Sequence, residues 1–127
     1  MSLSAVLLQT RWTLIIWLMN SNNNSSDQNM NQDDFVIFAE LNRDNFDEIL
    51  QSLTDQFKNI QSGRQGDDWI WIHLTDEDKI EIDSFFSMQL EVKGKYEHIP
   101  VVRQILHEMK DDWILQIFDP PKIDMTR

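Results

Sequence analysis

The chain has 127 residues, no cysteine and a formal net charge of −11. That length leaves room for one domain, and the missing cysteines exclude a disulfide framework, thiolate metal sites and cysteine nucleophiles while fitting a reducing, cytoplasmic setting. Between Phe35 and Phe118 stand 17 acidic against 8 basic residues, a balance of −9, which disfavours nucleic acid and anionic membrane surfaces as partners and suits a basic protein.

Residues 1–18, MSLSAVLLQTRWTLIIWL, differ from the rest. Trp12 to Met19 is an apolar run of eight residues, too short for a membrane span of about 20. Arg11 is its only basic side chain and no small-x-small cleavage site follows, which makes a poor signal peptide. Three readings stay open: a start assigned too far upstream of Met19 or Met30, a weak signal or anchor segment, and a helix packed on the domain. Residues 19–34 form an Asn/Ser/Gln-rich tract with nothing to bury, expected as a disordered linker.

From residue 35 the pattern becomes regular, and residues 35–118 are expected to be the folded domain. Phe35 to Leu41 reads as a strand. In residues 42–60, Phe46, Ile49, Leu50, Leu53, Phe57 and Ile60 recur at helical spacing, which predicts an amphipathic helix. Asp44 or Asn45 can cap it, and Asp47 and Glu48 suit its positive end. Residues 61–66, with two glycines, read as the turn that stops it.

Asp68 to Leu74, the polar turn Thr75 to Asp78 and the alternating Lys79 to Asp83 read as a hairpin. Ser84 to Val92 continues extended, either as one bent strand or as two broken near Ser87. A second helix from Glu97 to Lys110 carries Pro100 in its first turn, where the missing amide costs nothing. Its buried stripe is Val101, Val102, Ile105, Leu106 and Met109. Asp112 to Phe118 is the last strand, expected to end at Pro120-Pro121 and to leave residues 119–127 as a tail.

The expected fold is α+β: a single ferredoxin-like β-α-β-β-α-β domain, third strand possibly split, with two helices on one face of an antiparallel sheet. A short echo, Asp67-Asp68-Trp69-Ile70 against Asp111-Asp112-Trp113-Ile114, agrees with two β-α-β halves.

Catalytic signatures are absent: there is no Gly-rich phosphate loop, G-x-S-x-G elbow, H-E-x-x-H or EF-hand spacing. His73, His98 and His107 show no ligand spacing, and the TDEDKIEID segment lacks the glycine a calcium loop needs. Neither catalytic residues, nor a cofactor, nor a metal is expected.

The informative feature is aromatic. Alternation puts Ile70, Ile72 and Leu74 under the helices and Trp69, Trp71 and His73 on the open face. Glu40 marks the open side of the first strand, and alternation sets Val36 and Phe38 beside it. In the last strand Gln116 does the same for Ile114 and Phe118, whereas the echo aligns Trp113 with Trp69. Topology sets Asp76, Glu77 and Asp78 at the same end of the sheet as Asp111 and Asp112, on opposite edge strands roughly 14 Å apart at about 4.8 Å per strand. The expected partner-binding residues are therefore Phe38, Trp69, Trp71, Asp76, Glu77, Asp78, Asp111 and Asp112. A solvated acidic rim and a face covered by the chain's own N-terminal segment are the plain alternatives. The expected function is a non-enzymatic, acidic, cytoplasmic protein-binding domain, an inhibitor or immunity-type protein that neutralises a basic partner. The alternative is a homodimeric regulatory or small-ligand-binding domain, self-associating through the open sheet face.

Overall fold

Strand β1, Phe35–Leu41, lies inside the sheet of a computed structural model that describes residues 30–126. The expectations for residues 1–18 and for 19–29 lie outside the described residues. Helix α1 covers Phe46–Gln56, β2 Ile60–Gly63, β3 Trp69–His73, β4 Lys79–Asp83 and β5 Leu90–Lys95. Helix α2 covers Ile99–His107 and β6 Ile114–Ile123. The fold is α+β: two helices pack on one antiparallel sheet of order β2-β3-β4-β5-β1-β6.

The core lies between sheet and helices. Ile70 and Ile72 of β3, Ile80 and Ile82 of β4 and Leu90 and Val92 of β5 meet Phe46, Ile49 and Leu53 of α1 and Val102, Ile105 and Leu106 of α2. Each fully buried side chain of this kind stabilises the fold by about 1.5–3 kcal/mol over its exposed state. No helix among the described residues is long and apolar enough to cross a membrane.

Three departures from the sequence reading, and one alternative it left open, shape the molecule. First, α1 stops at Gln56, where Phe57 turns extended, and Ile60–Gly63 pairs with β3 as an extra edge strand. The turn glycine is Gly66, whose φ of 79° is left-handed and costs a residue without Cβ little. Gly63 stays in the strand because the Trp69 indole lies across it, 2.6 Å from where a Cβ would sit.

Second, of the two forms left open for the third strand the split one is present: Ser84 to Gln89 is a loop between β4 and β5. An added strand and a split strand reverse chain direction twice between α1 and α2. The turn at Asp76 to Asp78 therefore falls at the end where Phe35, Lys95 and Ile123 lie, and Asp111-Asp112 falls at the other end beside Leu41 and Leu90. The expected single acidic rim is corrected to two separate ends.

Third, β1 carries a bulge between Ile37 and Ala39. One extra residue breaks the alternation, so Val36, Phe38 and Ala39 are all buried in the core while Glu40 keeps the open side opposite Glu91. Fourth, β6 runs on through Pro120 and Pro121 to pair Lys122 with Ile37 and Ile123 with Val36. An edge strand tolerates proline because its outer side needs no donor. Residues expected as tail are thus sheet, and Asp34, expected in the linker, accepts from the Tyr96 amide through its carbonyl.

Candidate functional site

The open face of the sheet can be read row by row from its pairing. One row is Gln61, Trp71, Glu81, Lys93, Ile37 and Lys122; the next is Gly63, Trp69, Asp83, Glu91, Glu40 and Gln116. Trp69 and Trp71 lie on this face as expected, half-buried, but their surfaces are already used. Their rings pack on each other with centroids 4.7 Å apart, and the Lys79 ammonium sits 3.5 Å over Trp71. His73 continues the stack and hydrogen-bonds Gln61 at 2.7 Å.

Phe38, expected on this face, is corrected by the bulge. It is 2% exposed, on the helix side of the sheet near Gly94. The last strand resolves its two expectations the same way: Gln116 is on the open face opposite Glu40. Ile114 and Phe118, set beside it by alternation, instead border a groove against α2, and Trp113 is buried in the core. That groove, of about 350 Å³, has Phe38, Val102, Leu106 and Ile117 in its wall and Arg103 and Asp119 at its rim.

At the turn between β3 and β4, Asp76 and Glu77 are exposed and Thr75 Oγ1 accepts from the Glu77 and Asp78 amides. Asp78, Glu97 and His98 bring one donor atom each within 4.8 Å of one another. A cation is already there: Lys95 Nζ stands 2.9 Å from Asp78 and 3.9 Å from Glu97, and its hydrogen bond holds the Asp78 carboxyl below the usual range. Asp111 and Asp112 are exposed on the short 3-10 turn before β6.

The echo of Asp67-Asp68 is not a structural repeat. Asp68 is buried and takes Arg43 Nε at 2.8 Å and Arg64 Nε at 3.1 Å. Burial alone would raise its pKa; the two guanidinium groups outweigh it and lower the carboxyl below its ordinary value. A lowered folded pKa contributes stability above the unfolded value, lost as pH falls through the folded one. Asp68→Asn is therefore expected to lower the melting midpoint at pH 7 and to flatten the acid limb of the stability profile below about pH 4, the unfolded aspartate value. Equal acid limbs in the two proteins would remove this site from the pH dependence.

The most unusual chemistry joins the two rows. Asp83 and Lys93 form an ion pair at 2.8 Å with both side chains almost fully buried, on the side of the sheet opposite α1 and α2. The loop from Ser84 to Gln89 encloses it. The Phe85 amide donates to Asp83 Oδ1, the Phe86 ring centre is 5.5 Å from Lys93 Nζ, and Ser87 Oγ donates to Glu40 at 3.4 Å. Above this roof Phe85, Phe86 and Met88 are 42%, 64% and 81% exposed. Glu91, directly opposite both Asp83 and Glu40, has its pKa raised by burial. Lys93 opposes that rise, and the charges of Asp83, Asp124 and Glu40 add to it.

Sequence reasoning missed Phe85, Phe86, Met88 and the charged row. One signal was present: S-F-F-S-M sets three large apolar side chains in a segment flanked by serines, where a loop should be polar. Compared with protein-family models, with curated proteins and with solved structures, the chain matches none, so what the site does has to be read from its own geometry.

Proposed function

We propose that this chain is a non-enzymatic protein-binding domain that engages a basic protein through its open sheet face, as an inhibitor or immunity-type protein does. The observation that carries the reading is the loop Ser84 to Gln89, which holds Phe85, Phe86 and Met88 in solvent beside a row of carboxylates. Exposed aromatic and methionine side chains are common anchors of interfaces, and an acidic surround steers a basic partner toward them. Nucleic acid would be repelled by the same field. The absence of cysteine fits a cytoplasmic site of action. In fold terms, the order β6-β1-β5-β4 supports a ferredoxin-like reading, in which the β2–β3 hairpin is an insertion between α1 and β4.

The test is capture with the full chain as bait, identification by mass spectrometry, then titration of the purified captured protein. The expected partner is basic, and Phe86→Ala is expected to weaken it by a hot-spot amount, about 2 kcal/mol or roughly thirtyfold in Kd. A partner whose affinity is unchanged by both Phe86→Ala and Met88→Ala would sink the assignment. The groove between α2 and β6 favours a second reading, a homodimeric regulatory or small-ligand domain. Sedimentation of a tight dimer, with a ligand protecting the Ile117 region from hydrogen exchange, would replace the first reading by the second.

A further inference from the structure

Glu40 and Glu91 are direct cross-strand partners on the open face, and Glu91 is in turn opposite Asp83. Like charges placed directly opposite destabilise a sheet. Here three carboxylates stand in one row across β4, β5 and β1, two of them half-buried and one fully buried. The Lys93 ammonium hydrogen-bonds Asp83 and only offsets part of the burial of Glu91 by its charge; among the described residues no cation makes an ion pair with Glu40 or Glu91. Asp83 is itself 0% exposed, and its Oδ2 has no hydrogen-bond partner among them. A fold does not gain from such an arrangement, and local conflicts of this kind mark binding sites.

We propose that Glu40 and Glu91 form a clamp for one arginine side chain of a basic protein partner. This rests on the reading of the open face given above and names the group that face recognises. A guanidinium is planar, carries five donors in a fixed fork and binds carboxylates two bonds at a time, so it can bridge two carboxylates on adjacent strands. The surroundings fit its body as well as its charge. Ser87, which touches Glu40, is next to Phe86, whose ring already lies near the Lys93 ammonium; an aromatic face beside a carboxylate pair suits a cation that stacks. Lys93 beneath leaves hydrogen-bonding positions on the pair open: its Nζ bonds Asp83 at 2.8 Å, and it reaches Glu91 through its charge rather than through an ion pair.

The experiment is calorimetric titration of the full chain with hexa-arginine and hexa-lysine peptides at physiological salt. Four proteins are compared: the parent, Glu40→Gln/Glu91→Gln, Phe86→Ala, and the equally neutralising Glu48→Gln/Asp55→Asn on α1. The clamp predicts that hexa-arginine binds more tightly than hexa-lysine. It also predicts that Glu40→Gln/Glu91→Gln loses at least about tenfold, the worth of one charge-assisted hydrogen bond, while the α1 variant stays within about twofold. The clamp variant should also melt a few degrees higher than the parent, because the opposed charges are gone, and this confirms that it is folded. Equal losses in the clamp and α1 variants would overturn the clamp. A loss in Phe86→Ala without one in the clamp variant would overturn it while leaving the binding face in place. No loss in either would remove both.

Discussion

Lys93→Met lowers the unfolding free energy by about 3–5 kcal/mol, the cost of stranding one charge of a buried pair. The Lys93 and Asp83 side chains are 1% and 0% exposed and their ion pair is 2.8 Å long, so solvent cannot take over from the lost ammonium. The apolar stem of methionine keeps the volume, which isolates the charge from the packing. Asp83 would retain only the Phe85 amide at 3.2 Å. Replacing both partners, Asp83→Leu with Lys93→Met, should recover much of the loss, since two matched apolar groups bury no orphan charge. Urea denaturation followed by tryptophan fluorescence measures all three proteins. A loss below about 1 kcal/mol for Lys93→Met, the size of an exposed pair, would mean that water reaches the pair and that the loop is no lid. The same loop carries the proposed anchors, so the double variant, without the Asp83 acceptor, is expected to be stable yet weak in partner binding.

Ile72→Ala and Trp71→Ala should separate the two faces of β3. Ile72 is fully buried among the core isoleucines, and its truncation should destabilise the chain by about 2–5 kcal/mol. Trp71 is half-buried on the open side, packed on Trp69 and under Lys79. Losing the Trp69 pair, the edge contact with His73 and one exposed cation–π contact should cost about 1–2 kcal/mol. Thermal or urea unfolding of the two variants checks the ratio. Equal destabilisation would mean that both faces of the strand are buried, and the open face would no longer be available to a partner.

Periodicity carried far because burial on one side writes itself into spacing. Ile70 and Ile72 point inward while Trp69, Trp71 and His73 point outward, and the hairpin from Trp69 to Asp83 forms where alternation and a polar turn predict it. The stripe of α1 through Phe46, Ile49 and Leu53 and that of α2 through Val102, Ile105 and Leu106 are buried as their spacing requires. Pro100 opens α2, where its missing amide does no harm.

Pairing decided the rest. Ile60 fits the α1 stripe, yet the helix ends at Gln56 and that isoleucine joins β3 instead, opposite Ile72; a local period of 3.6 does not record an available strand edge. The bulge at Ile37 to Ala39 and the shift between Glu40 and Leu41 each insert a residue into a count of two, which buried Phe38 and turned Ile114 toward α2.

By itself the sequence determined the fold class, the inner faces of β3, β4 and both helices, and the acidic character of the surface, because each follows from composition or from a local repeat. Only the tertiary structure decided that Glu40, Glu91 and Asp83 share a row, that Lys93 is buried beneath Phe86, and that the two acidic turns lie at opposite ends. Glu40 and Glu91 are 51 positions apart in the chain, and strand register, set by nonlocal hydrogen bonds, is what brings them together.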